Sequence, residues 1–277
     1  MAGPPLEAAW RLADAWPAPA WSCAVVHGIE NETVTRGDTS RVQRIASVSK
    51  PIAAWAVLVA VEEGTVALGD PVGQSGCTLA HLLSHAGGYP FEGAQPVGKP
   101  GVKRIYSNSG YDMIASHIEA SSGMPFDEYL TDAVLSPLGM GSTSLQGSCA
   151  RDIWSSVDDL VAFIGELRSP RLVARETWLA AVTPQFPQLA GIVPGIGPAD
   201  PCPWGLGPEI RGHKSPHWTG ARNSAATFGH FGGIGTFLWV DPVADAACVM
   251  LSETEFDEWG LAHWPTFSDA VLEGLGR

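Results

Sequence analysis

Apolar residues along this chain recur with two different spacings, and the switches between them outline its organisation. Leu6, Ala9, Trp10 and Ala13 return at helical spacing, predicting a short amphipathic helix over residues 5–16. Trp21–Gly28 is a brief apolar run ended by glycine, and Asn31–Arg36 alternates Thr and Val. Together they predict a β-hairpin closed around Gly28–Asn31, with Arg41–Ile45 as a third strand. From Ser47 to Glu63 the period becomes helical and the apolar residues surround the axis, predicting a long buried helix. Pro51 stands near its first turn, where a missing N–H costs little, and Gly64 ends it. The middle of the chain predicts helices over Leu79–His85, Asn108–Ser122, Pro125–Leu135 and Ser156–Leu167. Residues 183–208 are rich in Pro and Gly and read as a surface excursion. Thr227–Asp241 and Ala246–Leu251 predict two strands joined at Asp241-Pro242, before a closing helix from Leu261 to Leu275.

Strands at both ends and helices between them imply an α/β (α+β) fold. An antiparallel β-sheet is flanked by the terminal helices and carries an inserted, mainly helical domain. The expected division is 1–60 with 205–277 for the sheet and 61–204 for the insert, with an active site at their interface. The chain has 277 residues, 45% of them hydrophobic, which is enough apolar surface to offset the conformational entropy of folding. Sixteen Lys+Arg against 29 Asp+Glu give a net charge of −13 and no basic block. The expectation is therefore no nucleic-acid and no membrane partner, since both attract concentrated positive charge. The most apolar run, Ile52–Val61, falls well short of the roughly 20 residues that span a bilayer. Residues 1–10 carry neither a basic nor an apolar leader segment, and the five cysteines (Cys23, Cys77, Cys149, Cys202, Cys248) never fall as C-x-x-C. Reduced thiols and a cytoplasmic location are the corresponding expectations.

Three short segments carry candidate chemistry. In Ile45-Ala-Ser47-Val-Ser-Lys50 a serine precedes a lysine by three residues at a helix start, which places both side chains on one face. A serine hydroxyl is a weak nucleophile without an adjacent base, and lysine becomes a base when apolar burial disfavours its ammonium form. Read alone, the pair is equally a helix cap followed by a surface lysine. In Arg104-Ile-Tyr106-Ser-Asn108 a loop offers a phenol able to move protons and an amide able to hold substrate. A nearby ammonium would favour the phenolate. The structural alternative is a buried tyrosine with Ser107 or Asn108 capping the next helix. In Phe228-Gly-His230-Phe-Gly232-Gly233-Ile-Gly235, glycines at a strand edge allow close approach of a ligand, and a backbone N–H could join that of Ser47 in an oxyanion hole.

In this order the three segments resemble the S-x-x-K, Y-x-N and H-x-G or K-T-G motifs of the serine β-lactamase and penicillin-binding protein superfamily, most closely its class C β-lactamase, DD-peptidase and family VIII esterase branch. Thr78–Pro90, with Leu82-Leu-Ser-His-Ala-Gly-Gly-Tyr-Pro90, is similar to that family's LLxHxSGLP segment. Ser136–Met140, Trp154–Leu160 and Trp204–Gly207 are further family-like landmarks, so the resemblance runs from about residue 20 onward. It implies a β-lactamase/transpeptidase-like fold with Ser47 as acylated nucleophile and Lys50 as its base or electrostatic partner. Tyr106 would relay a proton to and from the leaving group, and Asn108 would bond substrate or Lys50. His230 and Gly232 would form the third, substrate-binding motif, and the N–H groups of Ser47 and Gly233 the oxyanion hole. Whether Lys50 or Tyr106 takes the serine proton stays open, because the two would titrate together.

The departures bear on substrate. His230 stands where penicillin-directed enzymes usually carry lysine, and a largely neutral imidazole pulls weakly on a carboxylate. His217-Trp-Thr-Gly220 is a competing placement of that motif, disfavoured because a strand ending in Val-Asp-Pro follows His230. The E-x-x-L-N deacylation motif of class A enzymes is missing, since Glu176-Thr-Trp-Leu179 runs into Ala180. His81 with His85, and His213 with His217, have helical metal-ligand spacing but no accompanying H-E-x-x-H glutamate, so neither metal nor cofactor is expected. Trp154, Trp204, Trp218 and Trp239 are candidates to line an apolar acyl pocket. The expected activity is a serine hydrolase or acyltransferase acting on a small ester or amide. The alternatives are a β-lactamase or D-alanyl-D-alanine carboxypeptidase, or a silent binding protein of the same fold.

Overall fold

A computed structural model describes residues 6–277. The expected start of the first helix at residue 5 lies outside the described residues. In chain order the elements are α1 (Glu7–Asp14), β1 (Trp21–His27), β2 (Glu32–Arg36), β3 (Gln43–Arg44), a 3₁₀ turn (Ala46–Val48), α2 (Ser49–Glu62), α3 (Leu79–Leu83), α4 (Asn108–Ser122) and α5 (Phe126–Leu130). A π turn (Thr131–Leu135) leads to α6 (Ser136–Leu138), β4 (Ser144–Leu145), β5 (Ile153–Ser155), α7 (Val157–Arg168) and α8 (Arg175–Ala181). The hairpin β6 (Gly191–Val193) and β7 (Gly197–Ala199) follows, then β8 (Glu209–Ile210), β9 (Phe228–Gly232), β10 (Thr236–Asp241), β11 (Ala246–Ser252) and α9 (Glu258–Gly274).

The main sheet has the order β2-β1-β11-β10-β9-β8, and every adjacent pair is antiparallel. Its strands alternate between two apolar cores. Cys23, Val25, Phe237, Trp239, Cys248 and Met250 point to the face covered by α1 and α9. Ala24, Val26, Leu238, Val240, Ala247, Val249 and Leu251 point to the face covered by α2, α7 and the remaining helices. Burial on both sides explains why β10 and β11 read as unbroken apolar runs with no polar phase. Helix α2 is likewise buried almost all round, which fixes it as the central helix of the first core.

Three expectations need correction. Thr227–Asp241 is two antiparallel strands folded back at Gly233–Gly235, with Gly235 at φ 91°, and not one. The expected third strand shrinks to β3, which belongs to a separate sheet ordered β3-β5-β4. Helix α8 and the short strands β4 to β8 carry too few residues for a periodic signal. The Pro/Gly excursion contains a hairpin of its own, β6–β7, tied to the rest by a parallel bridge between Arg104 and Gly191. All five cysteines are free and buried. No described helix is long and apolar enough to cross a membrane.

Candidate active site

The site begins at a strained turn. Ala46 has φ 47°, a left-handed conformation that costs a residue with a Cβ about 1–2 kcal/mol, and it swings Ser47 to the head of α2. The turn is pinned on both sides: Ile45 N donates to Ile153 O at 2.9 Å, and Thr236 Oγ1 donates to Ile45 O at 2.8 Å. Gly232 lets β9 approach this turn, since a Cβ there would lie 2.6 Å from Ile45 O and would strike Thr236 Oγ1.

One turn after Ser47, at the second residue of α2, Lys50 is completely buried. Its Nζ donates to Asn108 Oδ1 at 2.7 Å and to Ala150 O at 2.9 Å, and lies 3.3 Å from Ser47 Oγ. Desolvation dominates its titration and pulls the ammonium down to about 7, with Cys149 and Asp112 opposing. Ser107 caps α4 by accepting from Gly110 N, which leaves Asn108, the first helical residue, free to face Lys50. The Asn108 amide is held in one orientation, because its Nδ2 donates to Glu92 Oε1 at 2.8 Å and Glu92 is paired with Arg151.

Tyr106 differs from expectation. Burial pushes its phenol well above the ordinary range, and a hydrogen bond from Ser47 only partly opposes this. Lys50 Nζ sits over its ring, 4.5 Å from the centroid. The group is therefore a phenol at neutral pH. His230 lies across from it, Nε2 to Tyr106 Oη 3.4 Å, while Nδ1 is 2.7 Å from Phe231 O. A carbonyl only accepts, so Nδ1 carries the proton and Nε2 is the bare nitrogen that accepts from the phenol. Desolvation, reinforced by Lys50, holds His230 down to about 3, so it is uncharged.

Ser47, Tyr106, His230 and Gly233 all line one cavity of about 190 Å³, walled by Phe91, Val193, Pro194, Gly195, Trp204, Phe231 and Phe256. Of the seven predicted site residues, Ser47, Tyr106, His230 and Gly233 share the cavity wall, Lys50 lies against Ser47, Asn108 holds Lys50, and Gly232 packs against the Ala46 turn. The tryptophan expectation holds for Trp204 alone. Trp218 and Trp239 are buried in the second core and Trp154 lies on β5, and none of the three lines the cavity. The competing histidine is also elsewhere. His217 belongs to a buried ion cluster in which Glu209 Oε1 stands 2.7 Å from Lys214 Nζ and 3.4 Å from His217 Nε2. His81 and His85 do not share a ligand position, because their Nδ1 atoms face Thr78 Oγ1 and Ser107 N respectively.

Sequence reasoning missed Glu92, His85 and the Ala150 carbonyl. His85 is buried at φ 58° and packs 4.4 Å from the Tyr106 ring and 4.9 Å from Trp204, accepting from Ser107 N at 3.1 Å. Burial keeps it neutral, well below the usual histidine range. It lies inside Leu82–Pro90, where the sequence offers it only as part of a landmark and as one of a helically spaced histidine pair. Glu92 follows that segment with no spacing signal, and a backbone carbonyl has none.

A profile of the Beta-lactamase family matches residues 30–271. The chain belongs to this family. The solved structure of a beta-lactamase from Mycobacterium bovis superposes with TM-score 0.93 and 46% identity, covering 96% of this chain and 98% of that one. The D-alanyl-D-alanine-carboxypeptidase/endopeptidase AmpH of Escherichia coli (strain K12) is 25% identical over 148 residues, 39% of this chain and 38% of its own. A simvastatin synthase variant from Aspergillus terreus shares the fold alone, with TM-score 0.81 at 16% identity and 98% coverage of both chains. The chain spans 31% to 57% of the length of the first curated relatives it matches. The Beta-lactamase match and these folds agree with the resemblance read from the three motifs and with the α/β architecture expected from the order of elements.

Proposed function

We propose that this protein is a serine hydrolase or acyltransferase that forms an acyl-enzyme on Ser47 with a small, uncharged ester or amide. The observation that carries the reading is a fully buried Lys50 amine, held down to about 7, with its Nζ 3.3 Å from a serine hydroxyl. In the neutral state that amine takes the Oγ proton as Oγ attacks the substrate carbonyl carbon. In this reading the N–H groups of Ser47 and Gly233, both residues of the cavity wall, receive the developing oxyanion. Collapse breaks the bond to the leaving group, which takes its proton from the Tyr106 phenol, and the Lys50 ammonium returns one to Tyr106. Water or an acceptor alcohol repeats the sequence in reverse and frees Ser47. The opposite shifts of the two groups support Lys50 as base and Tyr106 as acid.

A second reading, β-lactamase or D-alanyl-D-alanine carboxypeptidase, is favoured by the names of the relatives. Against it stands the cavity lining, which contains neither Lys nor Arg and only an uncharged His230 to meet a substrate carboxylate. Intact-mass spectrometry after mixing with p-nitrophenyl butyrate or a fluorophosphonate should show one adduct, on Ser47, absent from Ser47→Ala. An equal reaction rate in Ser47→Ala overturns the proposal. Nitrocefin turnover exceeding that of the butyrate ester would instead select the second reading.

A further inference from the structure

One wall of the cavity that Ser47 lines is packed more closely than catalysis alone requires. Phe256 N donates to Gly233 O at 2.8 Å, so the segment after β11 is fastened to the residue whose N–H is proposed for the oxyanion hole. The Phe256 ring is then fixed by its neighbours: its centroid is 4.7 Å from Phe231 and 4.7 Å from Trp264. On the cavity side it meets the tip of the β6–β7 hairpin. A Cβ on Gly195 would lie 3.0 Å from the Phe256 ring, so the glycine is what lets the tip close down on it.

The cavity is correspondingly small. About 190 Å³ corresponds to roughly six groups of liquid-water size. It is also below the ~300 Å³ at which pockets for drug-sized ligands begin. Of the two halves of an ester, only the acyl group stays on the serine through both half-reactions. The alcohol must depart and its replacement must enter. A walled recess beside the nucleophile therefore suits the acyl group.

We infer that Phe256 and the Val193–Gly195 hairpin tip form a size limit on the acyl group, restricting the enzyme to short, compact, uncharged acyl esters and amides. This rests on the Ser47 acyl-enzyme reading and adds to it the chain length and the residue that sets it. A hydrophobic recess discriminates single methylenes by about tenfold or more, so a misfit of several methylenes gives a sharp cut-off.

The test is kcat/KM for p-nitrophenyl esters from acetate to decanoate, in the wild type and in Phe256→Ala. The wild type should favour acetate to butyrate over octanoate by about tenfold or more. Phe256→Ala should raise the octanoate-to-butyrate ratio by about tenfold or more, and Phe256→Trp should lower it. If the alanine variant fails to fold, judged by far-UV circular dichroism, Phe256→Leu is read in the same way. The wild-type profile is decisive even without a variant. Octanoate or decanoate turned over as well as butyrate overturns the size limit, as does an unchanged ratio in a folded variant. Failure of the underlying reading looks different: no ester of any length would then leave an adduct on Ser47 in the intact mass.

Discussion

Lys50 is costly to the fold and useful to the chemistry for one reason, its complete burial. Its amine titrates near 7 when folded, against 10.5 unperturbed, so between those values the unfolded chain holds a proton that the folded chain does not. Raising the pH through that window therefore stabilises the protein, and Lys50 weakens the fold at neutral pH and below. Lys50→Met should abolish ester turnover and raise the melting temperature at pH 6, after allowance for its lost bonds to Asn108 and Ala150. A lower melting temperature would show that those bonds outweigh the desolvation. In the wild type, kcat/KM should climb as pH rises through about 7, because only the neutral amine can accept the Ser47 proton. Activity that is flat between pH 5.5 and 8.5 would assign the base elsewhere. The proposed role of His230 in substrate charge is tested at the same scale. With Nδ1 tied to Phe231 O and the ring uncharged, it gives a carboxylate nothing to pair with. His230→Lys should raise the preference for a carboxylate-bearing ester over its neutral analogue by about tenfold. No change in that preference would place the third motif on another segment.

Among the elements, β9 approaches the Ala46 turn closely and so helps to place Ser47. Gly232→Ala should cost about 1–3 kcal/mol, because the new methyl meets Ile45 O and Thr236 Oγ1 across a pinned turn. Activity should fall further than stability as Ser47 is displaced. Gly233→Ala is the control: its Cβ meets nothing within 4 Å, so urea denaturation should place it within about 0.5 kcal/mol of wild type. Similar losses in both would mean that the close approach at Gly232 is not what the fold depends on. These elements also show how far the sequence could be read. The helices α2, α4 and α7 and the strands β1, β2 and β11 follow from period and from Gly or Ser at their ends, within a few residues. The fold-back between β9 and β10 was invisible because its glycines had already been explained as a motif, and both flanking strands are buried on two faces. The candidate site was legible where the motif residues themselves line the cavity or touch Ser47. It was illegible where a distant segment supplies a backbone atom, as Ala150 does for Lys50, or a side chain with no spacing to mark it, as Glu92 does for Asn108. The phenolate expectation for Tyr106 failed because proximity of an amine was visible in the motifs and the depth of burial was not.

At the scale of the whole molecule, the second core and the proposed acyl recess are one continuous packing. Phe231 belongs to that core and also lines the cavity, and Phe256 packs on it from the rim. Trp264 of α9 is the link: it is fully buried, 4.7 Å from the Phe256 ring and 4.9 Å from Phe237. Trp10 of α1 occupies the same core farther from the cavity, 6.2 Å from Phe267 and 6.2 Å from Trp21, with no cavity-lining neighbour among its aromatic contacts. Truncating either tryptophan to alanine empties a comparable volume and should cost about 3–5 kcal/mol. Their effects on the site should differ. Removing Trp264 frees the Phe256 ring to swing away from the hairpin tip, so the octanoate-to-butyrate ratio should rise in Trp264→Ala as it does when Phe256 itself is shortened. Removing Trp10 lowers the urea midpoint alone and should leave that ratio where it was. Measured well below both midpoints, equal ratios in the two variants would mean that the recess holds its shape without support from α9. A separation between them would show that the terminal helix, and not only the motif-bearing strands, sets which acyl groups fit.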